Sequence, residues 1–578
     1  MTTERAAPPD RDPVAAGPTS SDPPTTSPAK RVRRYLRGLN HVGVILGGLF
    51  FALSLTPSLL PRPWALQALL SGVTSAGGYG LGVVISWSAW RIGVQRPNAL
   101  VRRRAWHGIG ALAVITIPII LWLSSGWQQE IRRAVDQPLD GRTPYLGVFA
   151  LAVAVAVALI GVVRLFHDIY LRIAARLLAF FPRAVARSLA AVLAVALAVA
   201  VGNGVVYRGS LQLADAVFSS LDHGSEAGVV RPVSVNRSGG ASSMVTWNSL
   251  GEYGRSFVAT GPTMARIQQL TGRSAVEPIR VFAGTASAPT LHSRAELVLA
   301  ELRRTRAFDR RLLAVATTTG RGWVDPTLAD PLEYMYGGDT AIASMQYSYL
   351  PSWMSFLTDQ DRARLAGREL FDTVYGYWST LPAAYRPRLV VFGESLGAFG
   401  SGAAFSSVAD LTGRTAGALF AGPPNITQPW RNLTDRRVAG SLERLPRYGD
   451  GNMIRFAASA ADLREPSGSL SHPAAVYLQH ASDPIVWWSP HLIWRKPAWL
   501  AESRGSDVVR QVQWYPLITF WQISCDLTVS VDPPAGHGHH YGPEVATAWS
   551  AVLDPPNWTA ADTVALTDLQ AAEDGLAG

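Results

Sequence analysis

The chain contains a single cysteine, Cys525, among its 578 residues. That excludes an intramolecular disulfide framework and any cysteine-rich metal centre, and no histidine cluster is accompanied by partners at a zinc spacing. No metal and no cofactor is expected. One thiol suits either side of a membrane, so it is silent on compartment. Nucleic-acid motifs are also missing. The formal charge is +10, but much of the basic excess flanks hydrophobic segments, which fits orientation in a bilayer better than a nucleic-acid partner. Acidic residues are absent from the long apolar stretches, where only small polar residues, Asn203 and, at one edge, His107 occur. Ion and proton pathways usually place charges there, so transport is not expected. Residues 1–29 lack aromatics and are rich in Pro, Thr, Ser, Asp and Ala, the composition of a disordered tail.

Lys30, Arg31, Arg33, Arg34 and Arg37 follow that tail. The apolar stretch beyond them is long, with no clean small-x-small cleavage site and further apolar segments behind it, so it reads as a retained anchor rather than a secretory signal. Five stretches approach the ~20 residues needed to cross a bilayer: Val42 to Leu60, Ala68 to Trp90, Trp106 to Trp127, Tyr145 to Val163 and Leu189 to Val206. Trp64, Trp90, Trp106, Trp127, Tyr145 and Tyr207 at their ends suit an interfacial belt. The second loop carries Arg91, Arg96, Arg102, Arg103 and Arg104, and the fourth carries Arg164, Arg172, Arg176, Arg183 and Arg187. The first has only Arg62, and the third mixes Arg132, Arg133 and Arg142 with Glu130, Asp136 and Asp140. The positive-inside rule then puts the tail in the cytoplasm and, after five crossings, the rest of the chain outside the plasma membrane. His167 to Phe181 reads as an amphipathic helix at the inner surface. The expected division is a tail over 1–40, a multi-pass region of about five helices over 41–208, a linker over 209–245, a catalytic domain over 246–560 and a second tail over 561–578.

From residue 246 short apolar runs alternate with helical patterns. Strands are expected at Ile279 to Ala283, Leu312 to Ala316, Leu389 to Phe392, Ala416 to Phe420, Ala474 to Gln479 and Trp521 to Val529, with helices such as Arg294 to Arg306 and Asp361 to Ser379 between them. Continuous apolar strands alternating with helices predict a mostly parallel sheet covered on both faces, with its chemistry at the carboxyl ends of the strands. The fold class expected is an α-helical transmembrane domain followed by an α/β domain with a mostly parallel sheet.

Gly393-Glu394-Ser395-Leu396-Gly397 stands at one such strand end and opens a run of small, helix-compatible residues. A strand ending in Gly-x-Ser-x-Gly forms a nucleophile elbow, where flanking glycines allow a sharp turn that exposes the serine hydroxyl. Ser395 is the candidate nucleophile, and the N–H of Leu396 a candidate oxyanion donor. A second donor is expected from the Gly-rich loop after Leu312 to Ala316, at Gly320 or Arg321. Asp483 follows a buried strand, where an orienting carboxylate should fall. Three histidines come next in Gly536-His537-Gly538-His539-His540-Tyr541-Gly542. His539, with an aromatic two places on, is the first choice for the base, His537 the second and His540 the third.

Several motifs in order give a resemblance over nearly all of the chain beyond the tail: Gly254-Arg255-Ser256-Phe257-Val258, Thr319-Gly320-Arg321-Gly322-Trp323, Gly338-Asp339-Thr340-Ala341, Gln346-Tyr347-Ser348, the serine pentapeptide, Gly422-Pro423-Pro424, Leu478-Gln479-His480 with Asp483-Pro484, and Gly536-His537-Gly538-His539. In these the chain resembles the actinobacterial-type membrane-linked α/β-hydrolase family, which implies an α/β-hydrolase fold and a serine triad. A membrane-anchored serine hydrolase acting on a lipid or other hydrophobic ester is the leading expectation. Acyl transfer through the same acyl-enzyme is a variant. A non-catalytic scaffold is the competing class, against which the complete Ser, Asp and His set argues. Trp487, Trp488, Trp494 and Trp499 are candidates for an acyl site or a lipid-facing surface, or for plain packing.

Overall fold

A computed structural model describes residues 38–95, 97–139, 145–464 and 472–577. The basic run up to Arg37, Arg96, Asp140 and Arg142 lie outside the described residues. The N-terminal part is helical: α1 (His41–Ser54), α2 (Trp64–Arg91), α3 (Ala99–Ala134), α4 (Tyr145–Leu177) and α5 (Arg183–Leu221), the last with wider π-type turns over Val201–Arg208. Asn40 and Asn98 cap α1 and α3 by accepting from Gly43 and Val101 N–H at 2.9 Å each. Small residues let α1 and α2 approach closely. A Cβ on Gly82 would stand 2.6 Å from Gly43 Cα, the close packing typical of helices that meet in lipid.

Four of these helices, α2 to α5, are long and apolar enough to cross a membrane. The expected crossing Val42 to Leu60 is corrected. Its helix has 14 residues, about 21 Å at 1.5 Å per residue against ~30 Å of hydrocarbon. Pro57 disfavours helix in the residue before it, and the chain from Ser58 to Arg62 turns instead into the second domain. The amphipathic surface helix expected over His167 to Phe181 is also corrected: as far as Leu177 it simply continues α4, since neither Gly nor Pro interrupts the chain between Gly161 and Pro182. Gly209 to Leu221, expected as linker, belongs to α5.

The second part is built on seven strands: β1 (Ile279–Ala283), β2 (Leu312–Ala316), β3 (Thr340–Met345), β4 (Arg388–Glu394), β5 (Gly417–Ala421), β6 (Ile454–Ala457) and β7 (Ala475–Leu478). All pairings are parallel, in the order β1-β3-β2-β4-β5-β7-β6. Side chains alternate between two cores. Leu313, Val315 and Val391 meet α6 (Gln360–Thr380) and α7 (Leu396–Gly402) on one face, while Ala314, Ala316 and Phe392 meet α9 (Val545–Leu553) on the other. The strand expected at Trp521 to Val529 is corrected to a helix, α8 (Ile518–Asp526), with one 3-10 turn after it. Its buried residues Ile518, Gln522 and Asp526 recur every four positions, a helical period that the apolar character of the run conceals. Residues 561–577, expected as a tail, form most of α10 (Ala560–Ala577), whose Leu566 is fully buried.

The two parts share a core. Leu59, Leu60 and Val135, from loops between the apolar helices, are buried in the same cluster as the sheet's apolar residues. Arg62 Nε donates to Asp526 Oδ1 at 2.7 Å, and both side chains are buried. Ser58 Oγ and Leu59 N–H also donate to the Asp526 carboxylate, at 3.1 and 3.2 Å.

Candidate active site

Strand β4 lies mid-sheet between β2 and β5, and Ser395 is the first residue beyond it. Its backbone has φ 55° and ψ −123°, a conformation costly for a non-glycine residue and held by the surrounding structure. The turn is tight enough that a Cβ on Gly393 would lie 2.3 Å from Gly397 C, and one on Gly397 2.3 Å from Thr317 O. Ser395 N–H donates to Ala421 O at 2.9 Å, tying the elbow to β5. Leu396 opens α7, so its N–H has no intrahelical acceptor. The Gly320 N–H is turned otherwise than expected, donating to Ser352 Oγ at 3.3 Å. Arg321 lines the cavity and pairs with Glu252 at 2.5 Å.

Asp483 follows β7 and is fully buried. Its Oδ1 accepts from Ile485 N–H at 2.8 Å, and its Oδ2 lies 2.7 Å from both His539 Nδ1 and the Tyr541 hydroxyl. Burial, with Asp483 beside it, pushes the Tyr541 phenol well above its ordinary pKa, so it stays neutral and donates. The carboxylate is thus satisfied on both oxygens, leaving the imidazole in one orientation.

The histidine loop separates its three candidates. His539 N–H donates to Ser530 O at 2.7 Å, and Gly538 N–H to Ser482 Oγ at 2.8 Å. His539 Nε2 is buried without a hydrogen-bond partner. It shares with Ser395 the wall of a cavity of about 830 Å³. His537 instead turns to the N-terminal helical part, with Nε2 3.1 Å from Asp136 Oδ2, and His540 Nδ1 lies 3.0 Å from Pro533 O. Gly422 explains why the ring of His539 fits: it has φ 53°, and a Cβ there would stand 2.3 Å from His539 Cε1.

Two family models match this chain. One, described as Alpha/beta-hydrolase family, covers residues 279–566, and the other, Alpha/beta-hydrolase family N-terminus, covers 55–262. The chain belongs to this α/β-hydrolase family. No curated protein and no solved structure matches it. Membership in an α/β-hydrolase family points to a hydrolytic enzyme.

Other features of this α/β-hydrolase are not evident from motif order. His480 sits beneath the histidine loop, with Nδ1 2.9 Å from Gly538 O and Nε2 3.1 Å from Glu544 Oε1, and its ring stacks on Tyr541 at 4.3 Å. Burial opposes its charge, but Glu544 prevails and lifts its pKa to about 9. Glu394 lines the cavity beside the serine. Burial, then the negative charges of Asp325 and Asp483, raises its carboxyl well above the usual range. The Leu478-Gln479-His480 motif was a signal for the first of these, and the variable position of the pentapeptide for the second. Of the four tryptophans singled out, Trp487, Trp488 and Trp499 pack inside and Trp494 is exposed. Among the described residues no group of three or more His, Cys, Asp or Glu converges as a metal site.

Proposed function

We propose that this protein is a membrane-integrated serine hydrolase that cleaves hydrophobic carboxylic esters through an acyl-enzyme. The observation that carries the reading is the 2.7 Å contact between His539 Nδ1 and Asp483 Oδ2, with Nε2 left unpartnered on the wall that also holds Ser395. With Nδ1–H donated to the carboxylate, Nε2 keeps its lone pair for a proton. Ser395 Oγ adds to the ester carbonyl carbon as its proton passes to Nε2. The oxyanion meets the N–H of Leu396 and a second donor from the loop after β2. Collapse breaks the bond to the alcohol, which leaves with the proton from Nε2. Water, giving its proton to the same nitrogen, then releases the acid and restores Ser395. An alcohol in place of water would transfer the acyl group instead.

The sheet domain is assigned to the outer side of the plasma membrane. Arg91, Arg102, Arg103, Arg104, Arg183 and Arg187 lie where α2 to α5 turn on the side away from it, as a cytoplasmic surface would. A fluorophosphonate probe tests the chemistry: wild type labels and Ser395→Ala does not. His539→Ala lowers p-nitrophenyl butyrate hydrolysis by at least ~1000-fold, and His537→Ala retains it. Failure of wild type to label would favour a scaffold, and full activity in His539→Ala would overturn the base.

A further inference from the structure

The cavity wall is mixed in character. Arg266, Asp330 and Glu573 line it, and so do Trp353, Leu527 and Val531. Leu527 directly follows Asp526, the residue that holds the loop between α1 and α2. Just beneath the surface of the sheet domain an aromatic ladder links the segment that carries Trp353 to α8. Phe356 packs on Trp488 at 5.3 Å, Trp488 on Phe520 at 5.7 Å and Phe520 on Trp521 at 5.3 Å.

The outer side of the ladder is uncovered. Trp353 and Leu357, on the helix Ser352–Thr358, and Leu517 and Trp521, at α8, are all exposed. Leu517 N–H donates to Ile493 O at 2.9 Å, bringing Trp494, 63% exposed, beside them. Arg495 and Lys496 come next and are also exposed. A continuous patch of large apolar groups differs from the single exposed residues of ordinary surfaces and marks a binding surface. Its position decides what covers it. The same helix α8 binds the α1–α2 loop through Gln522 and Asp526, and Trp64, two residues past Arg62, is itself exposed at the first turn of α2. The patch therefore continues the lipid-facing surface of the membrane helices, and tryptophan with adjacent basic residues is the composition that an interfacial layer favours.

We infer that the patch of Trp494, Leu517 and Trp521 rests in the interfacial layer of the bilayer, Arg495 and Lys496 meeting lipid phosphates, and that the cavity takes its ester from that leaflet past Trp353 and Val531. The substrate class is an acyl ester resident in the bilayer. The substrate half rests on the serine-hydrolase reading; the lipid contact does not.

The full-length protein in proteoliposomes tests both halves separately. For contact, Trp521→Cys on a Cys525→Ser background carries bimane. Spin-labelled lipids of shallow depth quench it and aqueous iodide does not, whatever the protein density. Iodide quenching, or shielding that disappears on dilution as a second copy would give, overturns the contact. For substrate, Trp494→Glu with Trp521→Glu, neither lining the cavity, keeps p-nitrophenyl butyrate turnover within about twofold and loses at least ~10-fold on a fluorogenic diacylglycerol held in the vesicles. Trp494→Phe with Trp521→Phe retains both activities. Equal loss on the two substrates, or none on either, overturns the substrate inference. A wild type that cleaves neither ester and takes no phosphonate defeats the hydrolase reading, with the bimane result still deciding the contact.

Discussion

Apolar side chains point in opposite directions in the two halves of this molecule. In α3, Val114 is 76% exposed and Trp122 71% exposed, whereas every residue of β1, β2, β3 and β5 is buried. The same hydrophobic effect is compatible with both, since lipid accepts an apolar exterior that water rejects. The seam between the halves obeys neither rule. There Arg62, Asp526, Ser58 and Gln522 are buried together, and each of the four has a hydrogen-bond partner in the other half, which makes the junction specific in register as well as apolar.

Breaking the seam gives the largest effect. Arg62→Ala leaves the Asp526 carboxylate buried without its cation and destabilises the protein by about 3–5 kcal/mol; a joint Arg62→Met, Asp526→Leu replacement recovers most of that loss in detergent melting curves. Next comes one substitution made in both halves. Gly422→Ala drives a methyl group into the His539 ring and requires a positive φ, so kcat falls by about 100-fold while KM changes little. Its counterpart Gly110→Ala, on the exposed side of α3 with no atom within 4 Å of the added methyl group, leaves activity unchanged and raises helix stability by at most ~1 kcal/mol.

A smaller effect lies within the sheet domain and has a defined pH window. His480 is lifted to about 9 from an ordinary value of about 6.5, so its ion pair with Glu544 contributes stability that is fully present below about pH 6.5 and is lost as the pH rises through about 9. Glu544→Gln therefore costs about 2 kcal/mol at pH 6, and the gap from wild type closes above pH 9 in denaturant titrations. A gap that widens with pH would mean that His480 is neutral in the native state.

How much could be read beforehand varied with the range of the interactions involved. The bounds of β2 followed from an unbroken apolar run between turn signals, and those of β1 from a run interrupted only by Arg280. In contrast β3, Thr-Ala-Ile-Ala-Ser-Met, offers little apolar contrast because small and hydroxyl residues fill four of its positions, and β6 has only four residues. Strand and helix were confused at Trp521 to Val529, where the polar positions Gln522 and Asp526 make sense only against Arg62 and Thr56, more than 400 residues away in sequence. The Ser395 elbow was legible because its strain is local. Tyr541 as a second donor to Asp483 and His480 as a strut under the loop were not, since each depends on distant segments meeting.

By itself the sequence determined the apolar helices, the parallel sheet and the elbow at Ser395, because chain composition over ~20 residues decides a span and five residues decide a turn. The tertiary structure decided which of three neighbouring histidines meets Asp483. Within Gly536 to Gly542 all three are chemically equivalent, and what separates them is that Ser530 O, Ser482 Oγ and the bare Cα of Gly422, from three other segments, leave room for the ring of His539 alone beside that carboxylate.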